Sequence, residues 1–173
     1  DASGAFDPAL KTQNPDTALP LLQFGIYRRA EDFTLDMIEN KEFSIGKWVP
    51  AINANEYENA LEKVKDYIRR GYTYQVNYTY LQRASFSGDA LSFFKYLVES
   101  QKNAYPVYIE TDAFAVCSAS PELFFYLEDN LITSKPMKGT IKRGINNIQE
   151  RANMDRLHNS VKNRAENLMI VDM

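Results

Sequence analysis

The chain has 173 residues, enough for one domain with a real core, and its 45% apolar and 25% charged residues are ordinary for a globular protein. A net charge of −3 and a pI of about 5.3 leave no basic footprint for nucleic acid. One cysteine, Cys117, excludes an internal disulfide or a thiolate zinc cluster; one histidine, His158, argues against Ser-His-Asp chemistry, so a metal would be held mainly by oxygen.

Residues 1–20, rich in Pro, Asp, Asn and Ala, read as irregular. A short strand is expected over 21–27, then a charged stretch to about Asn40, and a linker over 46–54 in which Pro50 opposes a helix. A helix begins at Asn55, where Glu58 three residues on suggests a capping box, and Tyr57, Leu61, Val64 and Ile68 recur at helical spacing until Gly71 stops it. From Tyr72 to Tyr80 the period changes to two: Tyr74, Val76, Tyr78 and Tyr80 alternate with Gln75, Asn77 and Thr79. Asp89 is a candidate N-cap for a second helix running to about Gln101. Strands are expected over 107–110, 114–118, 123–127 and, after an Asp129-Asn130 turn, 131–133. The last element reads as one long helix from about Ile148 to the end, which falls inside the apolar run NLMIVDM and suggests a truncated polypeptide. No apolar run approaches the roughly 20 residues of a membrane span. No basic-then-apolar leader pattern opens the chain, and the single cysteine suits a reducing cytoplasm.

Three stretches offer chemistry. Residues 72–80 read either as a half-exposed strand or as the polar lining of a pocket, with Gln75, Asn77 and Thr79 in a row. In SASPELFF and PMKGT, Glu122 stands at the mouth of one strand and Lys138 follows the next. A tight turn between the strands would bring carboxylate and amine together, while Gly139 and Thr140 add an N–H and a hydroxyl suited to a small anion. The bland alternative is an exposed lysine and a strand-end glutamate. In KNRAENLMIVDM, Glu166 sits among apolar neighbours, where it could meet a metal or simply pair with Lys162 four residues back.

Taken together, WVPAINANEYENALEKVKDYIRRGYTYQVNYT, SASPELFF, ITSKPMKGTIKRG and NRAENLMIVDM resemble, in order and spacing, the chorismate-using enzymes. That family comprises anthranilate synthase component I, aminodeoxychorismate synthase component I, isochorismate synthase and salicylate synthase. The resemblance spans residues 48–173, which would be the first half of a chorismate-binding catalytic domain; residues 1–47 would end an N-terminal region and linker. It implies an α+β fold of large, mostly antiparallel sheets stacked on one another with helices outside.

Within the family, a lysine third in PMKGT, here Lys138, resembles the aminodeoxychorismate synthases, whereas anthranilate synthases carry alanine there. Gln75 stands where the water-adding members carry a lysine base. The resemblance therefore implies a member that converts chorismate and ammonia to 4-amino-4-deoxychorismate for folate synthesis, with ammonia supplied by a glutamine amidotransferase partner. It further implies Lys138 as nucleophile and Glu122 as general acid and base. Gly139, Thr140 and Gln75 would lie at the substrate, and Glu166 at a Mg2+ ion. A free lysine titrates near 10.4, so an attacking neutral amine at pH 7 costs about 4–5 kcal/mol, which a dry pocket can supply. Two other readings compete: anthranilate synthase component I, and a non-catalytic chorismate-domain scaffold that contacts an amidotransferase.

Overall fold

A computed structural model describes residues 7–10, 19–101 and 105–172. The chain divides into two units, one built from residues 39–93 and the other from 1–38 with 94–173.

In the unit of residues 39–93, two short strand pairs form from segments that lie before and after one long helix in the chain. Strand β1 (Phe43–Ile45) pairs antiparallel with β4 (Phe86–Gly88), and β2 (Val49–Pro50) with β3 (Gln82–Arg83). The linker expected over 46–54 thus contains a strand: Pro50 removes a donor but suits a two-residue edge pairing. Helix α1 (Ala54–Arg69) starts two residues earlier than Asn55 predicts. Two Asn-x-x-Glu pairs overlap here, and the chain uses Asn53 with Glu56: Asn53 Oδ1 accepts from the Glu56 amide at 3.0 Å, and Glu56 Oε2 accepts from the Asn53 amide at 2.7 Å. The far end closes as Gly71 predicts. At φ +73 it lets its own N–H reach the Ile68 carbonyl (3.1 Å) and that of Tyr72 reach the Tyr67 carbonyl (3.0 Å), and the Tyr67 and Tyr72 rings meet edge-on at 5.9 Å.

Residues 72–80 form no strand. Their alternation has a different outlet: Tyr78 and Tyr80 both lie 5.9 Å from the Tyr57 ring on α1. A strand requires a partner that accepts its ladder of hydrogen bonds, and the pairing in this unit begins only at Gln82.

Helix α2 (Ala90–Ser100) begins in this unit at Asp89, as expected, and continues into the other. Asp89 Oδ2 accepts from the Ser92 amide at 2.8 Å and from its hydroxyl at 2.7 Å. The buried Ser92 hydroxyl also accepts from the Lys41 amide at 2.9 Å, tying the segment before β1 to the helix start. Phe43 and Phe86 place their rings 5.5 and 5.7 Å from Phe93.

The described residues of the other unit include the rest of α2, two hairpins and a helix pair. Strands β5 (Tyr105–Glu110) and β6 (Ala115–Ser120) pair from Tyr105↔Ser120 to Glu110↔Ala115, with Thr111 Oγ1 accepting from the amides of Ala113 (3.3 Å) and Phe114 (3.2 Å) in the turn. Strands β7 (Leu123–Glu128) and β8 (Leu131–Lys135) pair from Leu123↔Lys135 to Glu128↔Leu131, with an irregularity between Leu123 and Tyr126. The expected Asp129-Asn130 turn joins them. Both residues adopt left-handed φ values, +47 and +67, the conformation whose twist matches a two-residue hairpin. Phe94 of α2 is buried beside Tyr108, 5.4 Å between rings.

Two expectations fail in this unit. Residues 21–27 make no strand and lie exposed, Ile26 fully so, because no strand among the described residues pairs with them. The single long helix is two, α3 (Asn147–His158) and α4 (Val161–Asp172). Asn159 caps the first, and Ser160 Oγ accepts from the Asn163 amide (3.3 Å) to begin the second. Polar side chains that bond to nearby backbone compete with helix continuation, and two in succession break it.

Among the described residues the architecture is α+β with antiparallel sheets, as four separate two-stranded pairs rather than large stacked sheets. Among the described residues, the buried ones are Ile38, Phe94 and Ser92, and no helix is long and apolar enough to cross a membrane.

Candidate active site at the end of the β7–β8 hairpin

Glu122 immediately precedes β7 and Lys138 follows β8 by three residues, so antiparallel pairing returns both to one end of the hairpin. Lys138 Nζ lies 3.7 Å from Glu122 Oε1. The same carboxylate oxygen accepts from the Met137 amide at 3.1 Å, which fixes it against the turn that presents the lysine. Upstream, Ser120 Oγ and the Glu122 amide lie 3.2 Å apart and shape the entry into β7. The Lys138 side chain is 20% exposed and that of Glu122 is 38% exposed. A pair open to water to that extent contributes about 0–1 kcal/mol, so its value is positional: one amine and one carboxylate held at one end of the hairpin, at ion-pair distance.

Gly139 has φ +79, and a Cβ there would come within 2.5 Å of the Asn163 side chain. The turn after Lys138 therefore packs directly on α4. Thr140 follows, exposed. The next stretch is tied to α3: Arg143 Nε pairs with Glu150 Oε1 at 2.9 Å, the Gly144 amide donates to Glu150 Oε2 at 2.6 Å, and Asn153 Nδ2 donates to the Lys142 carbonyl at 2.8 Å. Lys138 also borders a cavity of about 370 Å³ between α3 and α4.

Glu166 lies on α4, half-buried, with Lys162 Nζ 3.7 Å away, the pairing its spacing suggested. Among the described residues no group of three or more His, Cys, Asp or Glu side chains could enclose a metal. The donor set at Glu166 is one carboxylate, a partial match to Mg2+, which is commonly held by one or two carboxylates with waters completing the shell. Gln75 belongs to the other unit, half-buried, with its carbonyl accepting from Thr73 Oγ1 at 2.9 Å.

The reading from sequence passed over Asn163, which backs the Lys138 turn. Its signal was the spacing of Asn163 and Asn167, four apart and so on one face of α4, where Asn167 Nδ2 donates to the Asn163 carbonyl at 2.9 Å.

Comparison with known proteins agrees with these motifs. Residues 6–173 match the model of the chorismate binding enzymes. Anthranilate synthase component 1 of Saccharolobus solfataricus is 34% identical over 132 residues, covering 76% of this chain and 31% of that protein. Aminodeoxychorismate synthase component 1 of Klebsiella aerogenes is 35% identical over 126 residues, 73% of this chain and 28% of that protein. Its counterpart in Bacillus subtilis is 33% identical over 135 residues, 78% and 29% respectively. The chain thus spans about three tenths of the length of these relatives. With residues 6–173 of the chain matched by the family model, this chain belongs to the chorismate binding enzyme family.

Proposed function

We propose that the protein carrying this chain is an aminodeoxychorismate synthase component I. It would convert chorismate and ammonia to 4-amino-4-deoxychorismate on the route to folate, with a glutamine amidotransferase supplying the ammonia in the cytoplasm. The observation that carries the reading is the Lys138–Glu122 pair: a lysine third in PMKGT, 3.7 Å from a carboxylate.

The neutral Lys138 amine attacks C2 of the chorismate ring, both ring double bonds shift along the conjugated system, and the C4 hydroxyl leaves as water with a proton from Glu122. Ammonia then adds at C4, both double bonds shift back, and the C2–N bond to lysine breaks. Glu122 removes a proton from the incoming nitrogen, and Lys138 departs as an amine. Two displacements replace one difficult substitution, the ordinary advantage of covalent catalysis. Gly139 and Thr140 supply an N–H and a hydroxyl beside the reacting ring, and Gln75, neutral where a water-adding enzyme has a lysine base, leaves water unactivated. Glu166 would supply one carboxylate oxygen to a Mg2+, which would neutralise a substrate carboxylate. In a chain of the relatives' length, the two hairpins join large stacked antiparallel sheets. The 173-residue chain alone is expected to be inactive and to bind Mg2+ weakly, and turnover by the purified chain would overturn that expectation.

The relatives leave a second reading open, because an anthranilate synthase is as similar, at 34%, as the aminodeoxychorismate synthases. The product separates them. Full-length enzyme incubated with chorismate, ammonium and Mg2+ should yield the mass of aminodeoxychorismate, and Lys138→Ala should abolish it. Anthranilate with released pyruvate would refute the assignment.

A further inference from the structure

The backbone around Lys138 is held on both sides. Before it, the Met137 amide donates to Glu122 Oε1 at 3.1 Å, which ties the turn to the hairpin. After it, Gly139 turns at φ +79 against α4, and a Cβ there would lie 2.5 Å from Asn163 Cγ, 2.6 Å from Nδ2 and 2.9 Å from Oδ1. The Asn163 backbone is itself fixed in the first turn of α4. Its amide donates to Ser160 Oγ at 3.3 Å, and its carbonyl accepts from Asn167 Nδ2 at 2.9 Å. Among the described residues its carboxamide makes no hydrogen bond, so what it presents to Gly139 is a flat face on which the backbone rests closely.

We propose that Asn163 is a positioning residue for the reaction at Lys138. The inference rests on the reading that Lys138 is the nucleophile. A lysine side chain is a flexible four-carbon stem, and only a fixed Cα makes the reach of its amine reproducible. The hold on Glu122 alone leaves the turn free to pivot about the end of the hairpin, and the contact with α4 removes that pivot. A misplacement of about 1 Å costs on the order of 10²-fold in rate when reacting atoms must align. Without the carboxamide the three atoms that meet Gly139 are gone, and the turn settles toward α4 and carries Lys138 with it. Asn163 acts through Gly139, on the chemical step rather than on capture of the ring.

The test is made in the full-length enzyme. Asn163→Ala should lower kcat at least about tenfold, with KM for chorismate changed less than about twofold. Asn163→Asp, which keeps the size and shape of the side chain, should hold kcat within about threefold of the unaltered enzyme. Carbodiimide should form less of the Glu122–Lys138 bond in Asn163→Ala, as read by mass spectrometry. The sharpest reading is the pair of changes. A methyl at Gly139 enters the space that Asn163→Ala vacates, so the double variant should lose less kcat than the product of the Gly139→Ala and Asn163→Ala losses. Circular dichroism checks that each variant folds, and Asn163→Ser, which trims most of the same contact, stands in where Asn163→Ala does not. Losses that simply multiply, an unchanged kcat or crosslink in Asn163→Ala, a rise confined to KM, or an equal loss in Asn163→Asp would overturn the proposal. Failure of the functional reading looks different: the unaltered enzyme makes another product, or Lys138→Ala keeps its rate, while the crosslink in Asn163→Ala is weakened all the same.

Discussion

Two stretches looked alike as pocket linings in the sequence, 72–80 with its row Gln75, Asn77 and Thr79, and 121–140 with Glu122 and Lys138. They fold by different rules. In the second, a turn of Asp129 and Asn130 dictates antiparallel pairing over a dozen residues, and the pairing alone carries Glu122 to within 3.7 Å of Lys138. In the first, alternation specifies which side chains share a face but supplies no partner, and the tyrosines lean on α1 instead. A local turn closes a short loop at little entropic cost, whereas a strand without a neighbouring strand leaves its amides unsatisfied.

The largest expected effect tests the chemistry of the hairpin end. In full-length enzyme, Glu122→Gln should slow turnover about 10²–10⁴-fold, the usual range for a lost acid-base group, while Gln75→Ala leaves the identity of the product unchanged. Comparable losses from both changes would erase the contrast between the two stretches.

Next in size is the geometry. Gly139→Ala places a methyl against Asn163 at a left-handed φ and should cost about 1–3 kcal/mol in urea unfolding. Carbodiimide should join Glu122 to Lys138 in the unaltered chain, and mass spectrometry should find less of that bond in Gly139→Ala. Asn130→Val, which forces a β-branched residue to φ +67, should act the same way at about 1–2 kcal/mol, whereas Asn130→Gly should preserve the crosslink.

A smaller effect separates the overlapping helix caps. Asn53→Ala should destabilise α1, and with it the seat of Tyr78 and Tyr80, by about 1 kcal/mol, while Asn55→Ala should change little. Equal losses would mean that both caps are in use.

The smallest effects are electrostatic. Hydrogen bonds from the Ser92 hydroxyl and then its amide hold the Asp89 carboxyl below the usual carboxylate range. A depressed carboxylate stabilises the fold above its unfolded value, near 3.9, and the benefit fades as pH falls through the lower folded value. Protection of the amides at the start of α2, taken against the intrinsic exchange rate at each pH, should therefore fall below about pH 4, and Asp89→Asn should flatten that dependence. Lys162→Ala should cost no more than about 0.3–0.5 kcal/mol, because Lys162 is exposed and stands N-terminal to Glu166, the weaker order for such a pair.

What the sequence determined by itself was whatever depends on neighbours along the chain. The caps at Asp89 and Gly71, the Asp129-Asn130 turn and the strands about it, and the ordered motifs around Glu122, Lys138 and Glu166 were all legible there. The break between α3 and α4 is also local, made by Asn159 and Ser160. Tertiary structure decided what needs a distant partner. It left 21–27 and 72–80 unpaired, joined Val49–Pro50 to Gln82–Arg83, chose Asn53 over Asn55, and set Asn163 against Gly139. The physical reason is that a turn or a cap satisfies its hydrogen bonds within a few residues, whereas a strand or a cavity wall exists only where another segment arrives to complete it.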